Sequence, residues 1–201
     1  METERFTEQQ SLAVIAGMIA ATRRKLERGG GKPFLIWGYT TFLVAVTIWA
    51  AYTLTGNPRW MWLWFAIPPA GYAASLIRGR NNPHGTATSY TDRVVRSVWI
   101  VIGSCCVLVA LCSPFVPGFP ILFTEALLFE AGVAVTGLVI RIRYVAVLGF
   151  AGILLALPLL FIGSVNQILL FAAVPLIAMI LPGHILNIHA RRAARTDAIH
   201  V

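Results

Sequence analysis

Long stretches without charged residues alternate in this sequence with short clusters of arginine. Charged residues make up only 12% of the chain, hydrophobic residues make up 58%, and the mean hydropathy is +0.76. A water-soluble domain of this size cannot bury so much apolar surface, and it intersperses its charges along the chain. The alternation is typical of membrane spans joined by loops, so the sequence predicts an all-α membrane protein.

Six apolar stretches are candidates for crossing a hydrocarbon core about 30 Å thick, which takes about 20 helical residues. They cover residues 34–55, 60–77, 97–113, 121–140, 144–163 and 168–186. We therefore expect a six-transmembrane-helix bundle over residues 33–188. Pro68 and Pro69 predict a kink in the second span.

The chain before the first span predicts a helix that lies on the membrane surface. Between residues 7 and 29, apolar side chains recur on one helical face, and a basic cluster follows. This basic cluster comprises Arg23, Arg24, Lys25 and Arg28. We expect residues 1–32 to form a cytoplasmic amphipathic helix and basic linker that bind anionic lipids of the inner leaflet. Alternatively, the helix docks a protein partner or a second copy of the chain.

The positive charges predict the orientation of the bundle. Fifteen of the sixteen lysines and arginines lie on one side of the expected spans, and only Arg59 lies on the other. Because positively charged loops remain in the cytoplasm, we expect a multi-pass inner (plasma) membrane protein with both termini cytoplasmic, including the basic tail 189–201. The formal charge of +8 is then explained by anionic lipid. We expect no nucleic-acid partner, because no aromatic and basic stripe accompanies the arginines.

No motif in the sequence supports catalysis. The chain lacks the zinc-hydrolase HExxH pattern, a phosphate-binding P-loop, a dinucleotide-binding glycine fingerprint and a nucleophile elbow. The three cysteines, Cys105, Cys106 and Cys112, fall in one apolar span, where we expect them to act as small buried apolar residues. The histidines do not match the spacing of known metal ligands. We therefore expect no catalytic residue, no metal and no cofactor.

The informative polar residues are two glutamates in the fourth span, Glu125 and Glu130. A charged acid at mid-bilayer costs roughly 2.5 to 3.5 kcal/mol on insertion scales, so such residues usually have a role. Counted from Ile121, Glu125 lies about 6 Å into the span, near the interface, and Glu130 lies about 14 Å in, near the midplane. Small residues follow the same helical face as Glu130, namely Ala126, Ala134 and Gly137. They predict close approach of another helix, with Glu130 facing the bundle.

Two interpretations of Glu130 are open at the level of sequence. In one, Glu130 binds a proton or a cation in the pathway of a small solute. In the other, a protonated Glu130 donates a hydrogen bond that holds helices together. The hydroxyl groups at comparable depth are those of Thr47 in the first span and Ser104 in the third, so we expect these as its partners.

The arrangement along most of the chain resembles that of small bacterial multi-pass inner-membrane proteins with no assigned activity. The resemblance lies in the amphipathic helix, the basic cluster, GKPFLIWGY at the start of the first span and WMWLWFAIPP in the second. It implies a membrane protein and carries over no activity. The function we expect is a non-enzymatic structural or regulatory membrane component, and the alternative is a small-solute or ion transporter or channel that uses Glu130.

Overall fold

The computed structural model describes residues 31–80 and 90–189. The expected amphipathic helix, with the basic cluster Arg23, Arg24, Lys25 and Arg28, lies outside the described residues, as do the loop 81–89 and almost all of the basic tail. The described part of the chain is all-helical: it contains six helices and no strands. The all-α prediction is therefore confirmed.

The six helices follow one another along the chain with short connections. They are α1 (Gly31–Thr55), α2 (Ile67–Arg80), α3 (Tyr90–Cys112), α4 (Ile121–Val139), α5 (Arg143–Ala156) and α6 (Asn166–Pro175). Four of them are extended by other helix types. Helices of the 3₁₀ type precede α2 (Pro58–Ala66), follow α3 (Ser113–Phe115) and extend α5 (Leu157–Leu160). A π-helix, Leu176–Ile180, continues α6 toward residue 189.

Five helices are long and apolar enough to cross a membrane, and α2 is the exception among the described helices. The sequence predicted one kinked span here, whereas the structure changes helix type at this point, from the 3₁₀ helix to an α-helix of 14 residues. The change falls just before Pro68 and Pro69. Both prolines then occupy the first turn of α2, where a missing backbone N–H and a fixed φ are tolerated.

The closest helix contact joins α4 and α5. The two helices are connected by a tight turn in which Arg141 has a left-handed φ of 57°. Glycine lets their backbones touch: a Cβ atom added to Gly137 would lie 2.6 Å from the Cα of Ala146, and one added to Gly149 would lie 2.7 Å from the Cα of Ala134. The predicted stripe of small residues around Glu130 is therefore a helix contact, as expected.

The helices α1, α4, α5 and α6 form the centre of the bundle, while α2 packs against α1 and α3 packs against α4. Two clusters of buried side chains fill the centre. The Ala126 cluster joins Ala126 of α4 to Ala45 of α1 and Ala172 of α6, and the Val133 cluster joins Val133 of α4 to Phe34 of α1 and Met179 of the π-helix. The two clusters occupy opposite ends of the bundle, and Glu130 lies between them on α4.

Candidate intramembrane carboxylate site

The side chain of Glu130 is completely buried, with 0% exposure. It faces Gly152 of α5, and a Cβ atom added to Gly152 would overlap the Glu130 carboxyl group. The carboxyl group therefore occupies the space that a side chain at position 152 would need. The prediction that Glu130 faces the bundle is confirmed.

Neither carboxyl oxygen of Glu130 has a hydrogen-bond partner among the described residues. Burying an acid without such a partner is costly, because the lost interactions with water are not replaced. The hydroxyl group of Thr41 on α1 is likewise buried without a partner. The centre of the bundle thus contains two buried polar groups that the described packing does not satisfy.

The backbone of α6 is irregular at the same level of the bundle. Glu130 lies between Ala126 and Val133 on α4, and Pro175 lies between their respective cluster partners, Ala172 on α6 and Met179 on the π-helix. Pro175 has no backbone N–H, and the wider π-helix follows it directly. Irregular helices of this kind leave backbone carbonyl groups with poorer internal partners. A break in α6 and an unpartnered acid on α4 therefore occur at one depth.

The hydroxyl partners expected from sequence are not at Glu130. Thr47 donates to the carbonyl oxygen of Leu43 at 2.8 Å, Ser104 donates to that of Ile100 at 2.8 Å, and both residues are exposed. A hydroxyl in a helix commonly bonds the carbonyl one turn earlier, which removes the need for a tertiary partner. The expectation was based only on the depth of Thr47 and Ser104 in the membrane. It did not include the direction in which each side chain points around its helix axis.

Sequence reasoning missed Thr41 and Gly152. A signal for Thr41 was available, because it lies on one helical stripe with Gly38, Ala45 and Ile48, all of which are buried. Gly152 carries no comparable signal, since its importance depends on which helix packs against Glu130.

Glu125 has different surroundings although it is on the same helix. It is half-buried, one carboxyl oxygen is enclosed without a hydrogen-bond partner, and the thiol of Cys106 on α3 lies beside the carboxyl group. The expected placement of Glu125 near the membrane interface stays a prediction, and the structure adds that its carboxyl group lies against α3. The cysteines also differ from expectation, because Cys105 and Cys106 are half-buried and Cys112 is exposed.

Polar contacts between helices are concentrated toward the two ends of the bundle. Tyr39 of α1 and His184 beyond the π-helix are hydrogen-bonded at 2.9 Å, and the indole N–H of Trp49 on α1 donates to Asn166 at 3.3 Å. The indole N–H of Trp99 on α3 donates to the Thr136 hydroxyl at 3.2 Å. No group of three or more metal-ligating side chains occurs among the described residues.

Two surface grooves of the described structure lie away from Glu130. One, of about 390 Å³, lies beside Arg59 and Trp62, and the other, of about 710 Å³, lies between α3 and α4 beside Arg93 and Val135. The carboxyl group is therefore enclosed by packed helices.

No family model, curated protein or solved structure matches this chain. Its class is accordingly defined by its own fold: an all-helical protein with five helices suited to crossing a membrane. The site in that fold is an enclosed carboxylate at the closest helix contact.

Proposed function

We propose that this chain is a non-enzymatic, multi-pass inner-membrane protein that acts as a structural or regulatory component of the membrane. The observation that carries the proposal is the enclosure of Glu130 against Gly152, with 0% exposure. A solute pathway through the bundle requires access to its binding carboxylate. Dense packing at this point instead favours a stable helical core.

We favour a topology of six spans, in which α2 and the 3₁₀ helix before it together form the second span. Laid end to end, the 3₁₀ helix of 9 residues and α2 of 14 residues would measure about 39 Å, at about 2.0 and 1.5 Å per residue. That length exceeds the hydrocarbon thickness of about 30 Å. The second span would then cross as a composite of two helix types.

An N-in, C-in orientation agrees with the arrangement of the helix ends. Phe34 near the start of α1, Ile142 before α5 and Leu186 near the end of the described chain belong to one cluster. Basic residues lie next to these points, including Lys32, Arg141 and Arg143. The proposed membrane topology therefore collects the positive charges in the cytoplasm, where the basic cluster Arg23, Arg24, Lys25 and Arg28 would meet anionic lipid or a protein partner.

Reporter fusions test this orientation. A fusion after Arg143 should give a cytoplasmic signal, and a fusion after Arg59 should give an extracytoplasmic one. A cytoplasmic signal at Arg59 would reverse the proposed topology.

A second candidate function is transport of a small solute or ion through Glu130. It is favoured by the unpartnered oxygens of Glu130 and Thr41 and by the irregular α6 at the same depth. Intramembrane acids of this type serve proton and ion pathways. In this alternative, α5 has to move away from Glu130 to admit water or solute.

Flux measurements in proteoliposomes separate the two functions. The purified protein, Glu130→Gln and the matched control Glu125→Gln would be compared for proton, sodium and potassium flux, with helicity and thermal unfolding measured on the same samples. We expect no flux above that of empty liposomes for any of the three proteins. Flux by the parent protein that Glu130→Gln abolishes and Glu125→Gln preserves would establish the transporter function instead.

A further inference from the structure

The groove between α3 and α4 combines an apolar floor with a cation at one end. Its apolar lining is dominated by valines, including Val94, Val98 and Val101 of α3 and Val135 of α4, and Arg93 lies at its rim. Val101 is 61% exposed and Val135 is 40% exposed, so the groove opens sideways, away from the centre of the bundle. In a membrane this side faces the lipid chains.

The length of the groove matches the hydrocarbon thickness of one lipid leaflet. From Arg93 to Ile102, the α3 residues that line it span nine steps, or about 14 Å. Half of a hydrocarbon core about 30 Å thick is about 15 Å. An acyl chain that starts at the membrane surface would therefore follow the groove to the midplane.

Arg93 provides the charge that a phosphate group requires. Its side chain is exposed, and the described residues offer its guanidinium group no carboxylate partner. The neighbouring Ser97 hydroxyl is already donated to the Arg93 carbonyl oxygen at 3.0 Å. The guanidinium group is thus the polar group of the groove that remains for a ligand, and its geometry suits paired hydrogen bonds to phosphate oxygens.

The charged end of the groove lies at the end of the bundle that carries the other basic residues. Trp99, about 1.7 turns after Arg93, packs on the Val133 cluster with Phe34 and Ile142. This contact places Arg93 at the same end as Arg141 and Arg143. In the orientation proposed above, this end meets the leaflet that is rich in anionic lipid.

We propose that the groove between α3 and α4 binds one acyl chain of an anionic phospholipid, whose phosphate group pairs with Arg93. The valines select for a flexible hydrocarbon chain, and Arg93 selects for the negative headgroup. Binding would hold α3 to the bundle from the outside, since this helix packs against α4 and lacks comparable contacts with the other described helices.

The experiment is a titration of the full-length protein in a mild detergent, with bound lipids counted by native mass spectrometry. The probes are phosphatidylglycerol and phosphatidylcholine with identical acyl chains. We expect tighter binding of phosphatidylglycerol, weakened about fivefold by Arg93→Gln. The control Arg59→Gln, which changes an arginine beside the other groove, should leave this affinity unchanged.

A second pair of variants tests the groove itself and leaves every lysine and arginine in place. Val101→Trp fills the groove and should abolish the tight site, whereas Val107→Trp, on α3 but outside the groove, should preserve it. Equal affinity for the two lipids, equal loss in Arg93→Gln and Arg59→Gln, or unchanged binding in Val101→Trp would each overturn the proposal. Because the titration needs no membrane orientation and measures no flux, its failure is distinguishable from failure of the proposed function.

Discussion

The helices that precede and follow α4 in the sequence, α3 and α5, are attached to it in different ways. Toward α5, glycines bring the backbones into contact along much of the helix, and the Glu130 carboxyl group is enclosed. Toward α3, a Cβ atom at Gly132 would find only ordinary contacts of 3.5 Å with Ile102 and Trp99, and a side-chain hydrogen bond joins the two helices. The side of α4 that faces α5 thus packs through direct backbone contacts, whereas the side that faces α3 packs through side chains.

The two glutamates of α4 show what this difference means for polar groups. Glu130 faces the backbone contact, where no hydrogen-bond donor is at hand. Glu125 faces α3, where the Cys106 thiol lies beside it and part of the side chain is exposed. The Glu130 side chain is therefore fully enclosed at the contact of α4 with α5, whereas the Glu125 side chain stays partly exposed at the contact of α4 with α3.

The largest effect is expected from adding a methyl group to the backbone contact. In Gly149→Ala the new Cβ meets the backbone of Ala134, which cannot move aside, and we expect a loss of about 3 kcal/mol or more of unfolding free energy. The matched control is Gly103→Ala on α3, where nothing lies within 4 Å of the added atom. It should change stability by no more than about 1 kcal/mol, in the stabilising direction. Equal losses in detergent unfolding curves would refute the distinction between the two faces.

A smaller effect is expected at Gly152, where the added methyl group meets a side chain. Gly152→Ala should cost about 1 to 2 kcal/mol, because the Glu130 carboxyl group has to shift. In the background of Glu130→Ala the same change should cost little, which gives a coupling energy of about 1 kcal/mol in a double-mutant cycle. Additive effects of the two substitutions would show that Glu130 does not fill this space.

The side-chain contact of α3 should be weaker still. Thr136→Val removes the acceptor of the Trp99 indole N–H and keeps the size of the side chain, so we expect a loss of about 0.6 kcal/mol, typical of interhelical hydrogen bonds in membranes. Trp99→Phe should lose more, because it also removes indole carbons that pack against Gly132, and Thr136→Val should cost little further in the Trp99→Phe background. A loss in the double variant equal to the sum would mean that the hydrogen bond does not form.

The smallest effects are expected at the two hydroxyl groups that sequence reasoning connected with Glu130. Thr47→Val and Ser104→Ala remove hydroxyls that serve only their own helices, so stability should change by less than about 0.5 kcal/mol. Thermal unfolding of both variants should match that of the parent protein. A loss of several kcal/mol of unfolding free energy in either variant would instead support the contact with Glu130 that was expected from the sequence.

The sequence was sufficient for the features that depend on pattern along one helix. Hydropathy predicted six spans, and five of these correspond to helices long and apolar enough to cross a membrane. The spacing of Ala126, Ala134 and Gly137 predicted the inward face of α4. These features depend on helical periodicity, which is visible in a single segment.

The features that could not be predicted from the sequence depend on how the helices are rotated about their axes and how they pack together. The sequence gives the depth of Thr47 and Ser104 but not the direction they face, and it gives no reason to connect Gly152 with Glu130. The two prolines of the second span predicted a kink, yet whether they bend one helix or begin another depends on the packing against α1. Tertiary contacts decide these points.

The most direct test of the enclosed carboxylate is the accessibility of position 130 to water. Glu130→Cys, placed in a protein whose Cys105, Cys106 and Cys112 are changed to serine, would be treated in liposomes with a maleimide, with Arg59→Cys as the accessible control. We expect rapid labelling at position 59 and none at position 130 until the protein is unfolded in detergent. Labelling of the folded protein at position 130 would contradict the enclosure of this site and reveal a water path through the bundle.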